Sequence, residues 1–127
     1  MTRDELIERL AGEPSQQNDA RIHAHILGSD WYAKRSEING EWLCFSRTSF
    51  RDQAHKLPDC KSAPPYTSSL DAKVPGENIV WVYLLPGDGW RARHDAGAAV
   101  GCMFHGHHPT SEATARRIAG LLAREKA

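Results

Sequence analysis

Residues Asn78 to Leu85 read NIVWVYLL, and in extended backbone both alternating faces of this run are apolar: Ile79, Trp81, Tyr83 and Leu85 on one side, Val80, Val82 and Leu84 on the other. A strand covered on one side alternates apolar with polar residues, so apolarity on both sides predicts a central strand with a layer above and below it. At 127 residues the chain suits one domain, residues 1–127, that buries roughly two-thirds of its unfolded surface.

The flanking segments supply the layers. Thr2 to Glu5 has capping-box spacing ahead of Leu6, Ile7 and Leu10, which predicts a short helix ending near Gly12. Ser15 is placed to cap a second helix that carries Ile22, His23, Ile26 and Leu27 on one face and stops at Gly28. Two β-like runs, near 31–38 and 41–47, flank Asn39-Gly40, a hairpin signal of the type I′ kind. Three prolines among polar residues mark 48–66 as a long irregular loop. A brief helical turn is expected at 67–72, then the apolar strand, a turn at Pro86 to Gly89, and a strand in which Trp90, Ala92 and His94 alternate with Arg91 and Arg93. A further strand is expected over 98–105, its small residues admitting a close neighbour, and Thr110 or Ser111 should cap a last helix with Ala115, Ile118, Ala119 and Leu122 inward. The sum is an α+β fold: a mostly antiparallel sheet with helices on both faces, an α-β-α sandwich.

Sixteen basic and sixteen acidic side chains cancel, so no global field draws the protein onto nucleic acid, and no extended nucleic-acid surface is evident. No apolar run approaches the roughly 18 residues that a membrane helix needs. Cys44, Cys60 and Cys102 are widely spaced with no CxxC, and MTRDELIERL is amphipathic rather than a signal peptide, so a cytoplasmic protein is expected.

Pro65-Tyr66-Thr67-Ser68-Ser69-Leu70-Asp71-Ala72, then Val74-Pro75, the aromatic strand, Gly87-Asp88-Gly89 and the Ala-rich last helix resemble a family of small phage and prophage proteins, the phage ABA sandwich domain proteins. The openings RDELIERL and ARIHAHILG resemble the same family, which extends the likeness over nearly the whole chain. The resemblance implies the layered α-β-α fold and a viral or prophage origin. It brings no established catalytic residues.

Two clusters carry chemistry. Arg91 and Arg93 share a strand face next to Trp90, and a guanidinium pair beside an indole suits phosphate and base recognition, against the plainer reading of a solvated face. Cys102, His105, His107 and His108 offer thiolate and imidazole ligands for a metal, although Cys102 and His105 face opposite ways in a strand, so a site requires the chain to leave β geometry near Gly106. His23 reads as a packing residue, Cys44 as a core thiol and Cys60 as the more exposed one. No P-loop, GxGxxG or GxSxG occurs and no cofactor is implied. The expectation is a non-enzymatic phage or prophage accessory protein acting by binding, whose partner is a host or phage protein or a small anionic ligand such as a nucleotide. In its specific form it is an anti-defence protein that blocks a host immune effector or sequesters its nucleotide signal. The alternatives are a metal-binding module or metal-dependent enzyme on the Cys102/His105/His107/His108 cluster, and a virion or assembly component; a homo-oligomer is compatible with each.

Overall fold

The computed structural model describes residues 2–47, 60–95 and 103–124. Local capping sets the helices. Thr2 accepts from the Glu5 amide at 3.2 Å and starts α1 (Arg3–Arg9), Ser15 accepts from Asn18 at 3.1 Å and starts α2 (Gln16–Leu27), and Ser111 accepts from Thr114 at 3.0 Å and starts α3 (Glu112–Ala123).

Among the described residues six strands form two antiparallel sheets. In the first, β1 (Trp31–Arg35), β2 (Trp42–Ser46) and β3 (Cys60–Lys61) run in that order, and in the second β4 (Ile79–Leu85), β5 (Gly89–Asp95) and β6 (Met103–His108) form a meander. The α+β class, the antiparallel pairing and the layering of helices on sheets all match the sequence expectation. Ala20 and Ala24 of α2 meet Cys44 on the first sheet, while Ala115 and Ala119 of α3 meet Ala92 on the second. Ile22 of α2 and Ile118 and Leu121 of α3 turn instead to a common core with Leu6, Leu10, Tyr66 and Val74.

The structure revises four local expectations. The hairpin turn is longer than two residues: Arg35 pairs with Trp42, the Gly40 amide donates to Ser36 O at 2.9 Å, and Gly40 alone in the turn has positive φ, whereas a type I′ turn needs Asn39 there as well. Part of the expected loop is a strand, since Cys60 and Lys61 pair with Phe45 and Cys44; residues 48–59 lie outside the described residues. Residues 66–71 form turns rather than helix. In α3 the buried set includes Leu121 and, unexpectedly, Arg117, with Leu122 only half-buried.

The largest revision concerns NIVWVYLL. Among the described strands β4 is the edge of its sheet, not the centre. Ile79 and Val82 pack toward α3, and on the opposite face Trp81 stacks on Tyr83 at 4.6 Å, yet Val80, Trp81, Leu84 and Leu85 remain 46%, 43%, 55% and 38% exposed. Two-sided apolarity therefore does not report two-sided burial within this chain.

The 65–77 segment ties the layers together. Thr67 donates its amide and hydroxyl to Asp19 Oδ1, both at 2.7 Å, and its carbonyl accepts from Ser111 Oγ at 3.0 Å and Thr114 Oγ1 at 3.2 Å, so the N-terminal turns of α2 and α3 are joined through one buried residue. Burial raises the Asp19 carboxyl above its ordinary range, and the two Thr67 hydrogen bonds oppose that rise. Arg117, wholly buried, pairs with Glu77 and donates to the Tyr66, Ser69 and Leu70 carbonyls. The Pro65 to Ala72 segment is thus part of a packing knot.

α3 lies unusually close to β6. A Cβ on Gly106 would stand 2.0 Å from Ala115 O and 2.5 Å from Ala119 N, so only glycine admits the helix at this distance. Gly106 lies beyond the expected 98–105 strand, whose small residues, Ala98 to Cys102, lie outside the described residues.

Candidate ligand-binding site

Register sorts the predicted residues. Opposite Arg91 sit Tyr83 and His107, opposite Arg93 sit Trp81 and His105, and all six belong to the face of the second sheet turned away from α3. Trp90 belongs to the other face, where it packs with Ala92, Ala115 and Ala119. The expected indole beside the arginine pair is therefore wrong in its identity: alternation sends Trp90 under α3, and the ring that Arg93 meets, at 5.6 Å, is Trp81 from β4.

Arg91 is committed. Its Nη2 and Nε donate to Asp88 Oδ2 at 2.7 and 3.2 Å, a pairing that lowers the Asp88 carboxyl and raises the Arg91 guanidinium from their ordinary values. His107 also bonds the Asp88 carbonyl and lies 3.8 Å from its carboxylate. A clamp on phosphate would first have to displace Asp88, which weakens this face as an anion site.

The metal cluster does not assemble as expected. His105 and His107 share the open face of β6, but His108 is on the α3 side, 1% exposed, with Nε2 on Gly12 O at 2.8 Å and Nδ1 accepting from the Thr110 and Ser111 amides at 3.1 and 2.8 Å. Both ring nitrogens are used in holding β6, the α3 N-terminus and the end of α1 together. Cys102 lies outside the described residues, and among the described residues no group of three or more histidine, cysteine or acidic side chains is placed to hold a metal ion.

His23 is half-buried with Nδ1 3.3 Å from the Tyr66 hydroxyl, the packing role expected. Cys44 is buried, its Sγ donating to Ala20 O at 3.1 Å, and burial pushes its thiol up to about 11; Cys60 is exposed.

The site that sequence reasoning missed is a cavity of about 450 Å³ between α1, α2 and β1. Arg9 at the end of α1, Arg21 and His25 on one face of α2, Trp31 and Tyr32 at the start of β1, and Arg47 just after β2 border it. Arg21 donates to Asn18 Oδ1 at 3.2 Å, and Arg47 donates to Ser29 O at 3.1 Å while lying 5.0 Å above the Tyr32 ring. Among the described residues none of these three guanidiniums pairs with a carboxylate, and no acidic side chain lines the cavity. Desolvation, and then Arg9 beside it, lower the Arg21 guanidinium from its ordinary value. His25 is lowered by burial and then by Arg124 and Arg3, so positive charge presses on it from the side of α3 as well. Like charges held together at a partly desolvated concavity form a standing site for an anion, and the volume is that of a nucleotide-sized ligand pocket.

A signal for it existed. Arg21 has Gln17, Asn18, Ala24 and His25 at helical spacings of three and four, with no acid among them, which on a helix leaves a cation without its customary partner.

Comparison of the chain with protein-family models, with curated proteins and with solved structures gives no match. No helix among the described residues is long and apolar enough to cross a membrane.

Proposed function

We propose that the protein is a non-enzymatic binding protein that holds a small phosphorylated, ring-bearing anion, of the nucleotide class, in the α1–α2–β1 cavity. One observation carries the reading: Arg9, Arg21 and Arg47 converge there without a carboxylate among the described residues. Guanidiniums suit phosphate oxygens, and Trp31 and Tyr32 bring aromatic residues to the border of the cavity, Tyr32 stacked on Phe45 with centroids 6.0 Å apart. Binding is the reading the lining supports best: guanidiniums and rings suit recognition of an anion, and among the described residues His25 and Ser29 are not hydrogen-bonded to each other as a base–nucleophile pair.

The resemblance of the 65–89 motifs to phage and prophage sandwich proteins supports an accessory role in a bacterial host's cytoplasm. Its specific form is removal of a nucleotide signal from a host immune effector. Titration calorimetry with cyclic AMP, adenosine diphosphate and inorganic phosphate as probes tests the site. Arg21→Ala with Arg47→Ala should reduce nucleotide affinity at least tenfold, while Arg91→Ala with Arg93→Ala should leave it unchanged. Equal loss from both pairs, or no binding by the wild-type chain at millimolar probe, would refute the assignment.

A further inference from the structure

The exposed edge of β4 is the feature that the cavity leaves unexplained. Edge strands of monomeric proteins are blunted by charge, proline or bulges against pairing with another chain. β4 carries a single irregularity, between Ile79 and Trp81, and no charged residue or proline along its seven positions. Four of the six exposed large hydrophobic side chains among the described residues lie on this one strand. No other described strand pairs with its outer edge.

We propose that β4 pairs antiparallel with β4 of a second copy about a two-fold axis through Val82, joining two three-stranded sheets into one of six strands. The strand is self-complementary in that register. Trp81 of one copy then stands opposite Tyr83 of the other, and Val80 meets Leu84, so the two most exposed aliphatic residues of the strand come together while the aromatic pairs meet on the face turned away from α3; Ile79, turned to the α3 side by the irregularity before Trp81, and Leu85 lie outside this matched stretch. Charge agrees with self-association. Glu77, just before the strand, is consumed by Arg117, and Asp88, just after it, by Arg91, so neither end brings a free like charge against its symmetry mate.

The area fits a weak dimer: taking ~180 Å² per large residue, the exposed fractions of Val80, Trp81, Leu84 and Leu85 leave roughly 330 Å² per copy and about 660 Å² over two copies. Pairing also makes β4 interior to its sheet, the central position that the run NIVWVYLL predicts. On the joined sheet, Trp81, Tyr83, Arg93 and His105 of both copies form one continuous face. The ligand cavity lies on the other sheet, so neither proposal depends on the other.

Analytical ultracentrifugation of the full chain from 1 to 200 µM, with amide hydrogen exchange at both ends of that range, tests the pairing. The expected result is a species of twice the chain mass, with exchange of alternate β4 amides slowed at least tenfold at the higher concentration. Val80→Lys with Leu84→Lys places like charges opposite one another in the two-fold register while altering exposed positions. This variant should sediment as a monomer with an unchanged circular dichroism spectrum. If it loses its fold, the milder Leu84→Glu should raise the dimer dissociation constant at least tenfold. A wild-type monomer at 200 µM, a dimer indifferent to both variants, or β4 protection seen only when another protein is added would overturn the proposal.

Discussion

Removing the Arg117 side chain should cost this protein a large part of its stability. Its guanidinium is wholly buried and holds the Glu77 carboxylate, itself 1% exposed, while donating to Tyr66 O at 3.2 Å, Ser69 O at 2.7 Å and Leu70 O at 2.8 Å. Arg117→Met keeps most of the volume and deletes every donor. Breaking a buried pair from one side costs about 3–5 kcal/mol, because the remaining charge has no partner. The three carbonyls add to this, but turns near a surface admit water, so about 1 kcal/mol is credited to them together. The expected loss is then ~4–6 kcal/mol out of a total on the order of 5–15 kcal/mol. Urea unfolding followed by circular dichroism should show the midpoint falling by ~2 M or more at an unchanged slope of about 2 kcal/mol per molar. Adding Glu77→Gln removes the stranded charge and should restore ~2–3 kcal/mol, although Glu77→Gln alone destabilises. The reasoning is refuted if Arg117→Met costs less than ~1.5 kcal/mol, or if the two substitutions add within ~0.5 kcal/mol instead of offsetting each other.

Gly106→Ala should lift α3 from β6, since its Cβ would meet the backbone at Ala115 O and Ala119 N, neither of which can rotate away. Overpacking against backbone costs ~3 kcal/mol or more, and thermal unfolding should fall by ~10 °C or more. Affinity for cyclic AMP, whose own charge is constant from pH 5 to 8, should rise as pH falls. His25 is held below its ordinary value in the free protein, first by burial and then by Arg124 and Arg3, and a bound anion raises it again, so the complex takes up a proton. A gain of roughly threefold to tenfold from pH 8 to pH 5.5 is expected in calorimetry, and His25→Gln should flatten it.

Much of this fold is local and was legible in the sequence. The Thr2, Ser15 and Ser111 caps, the end of α2 at Gly28 and the alternation of β5 each depend on residues within a few positions of one another, where hydrogen-bond reach and side-chain period leave few options. The same alternation already separated Arg91 and Arg93 from Trp90; adjacency along the chain obscured it, and the aromatic partners had to come from another strand. The histidine cluster failed for a related reason: consecutive residues His107 and His108 point to opposite faces, and only the fold shows that His108 uses both nitrogens internally.

What the sequence alone determined is the set of elements and which face of each is apolar, because caps, turns and periodicity are short-range terms. Only tertiary structure decided which apolar faces are covered within the chain and which charges converge. β4 is apolar on both sides yet stands at an edge among the described strands. Arg9, Arg21 and Arg47 come from three separate elements to one cavity, and Arg117, as polar as they are, is sealed in the core. Burial and like-charge convergence depend on where distant segments dock, and that docking is set by the sum of many small packing terms, such as Gly106 under α3 and Thr67 between two helices, which no local pattern contains.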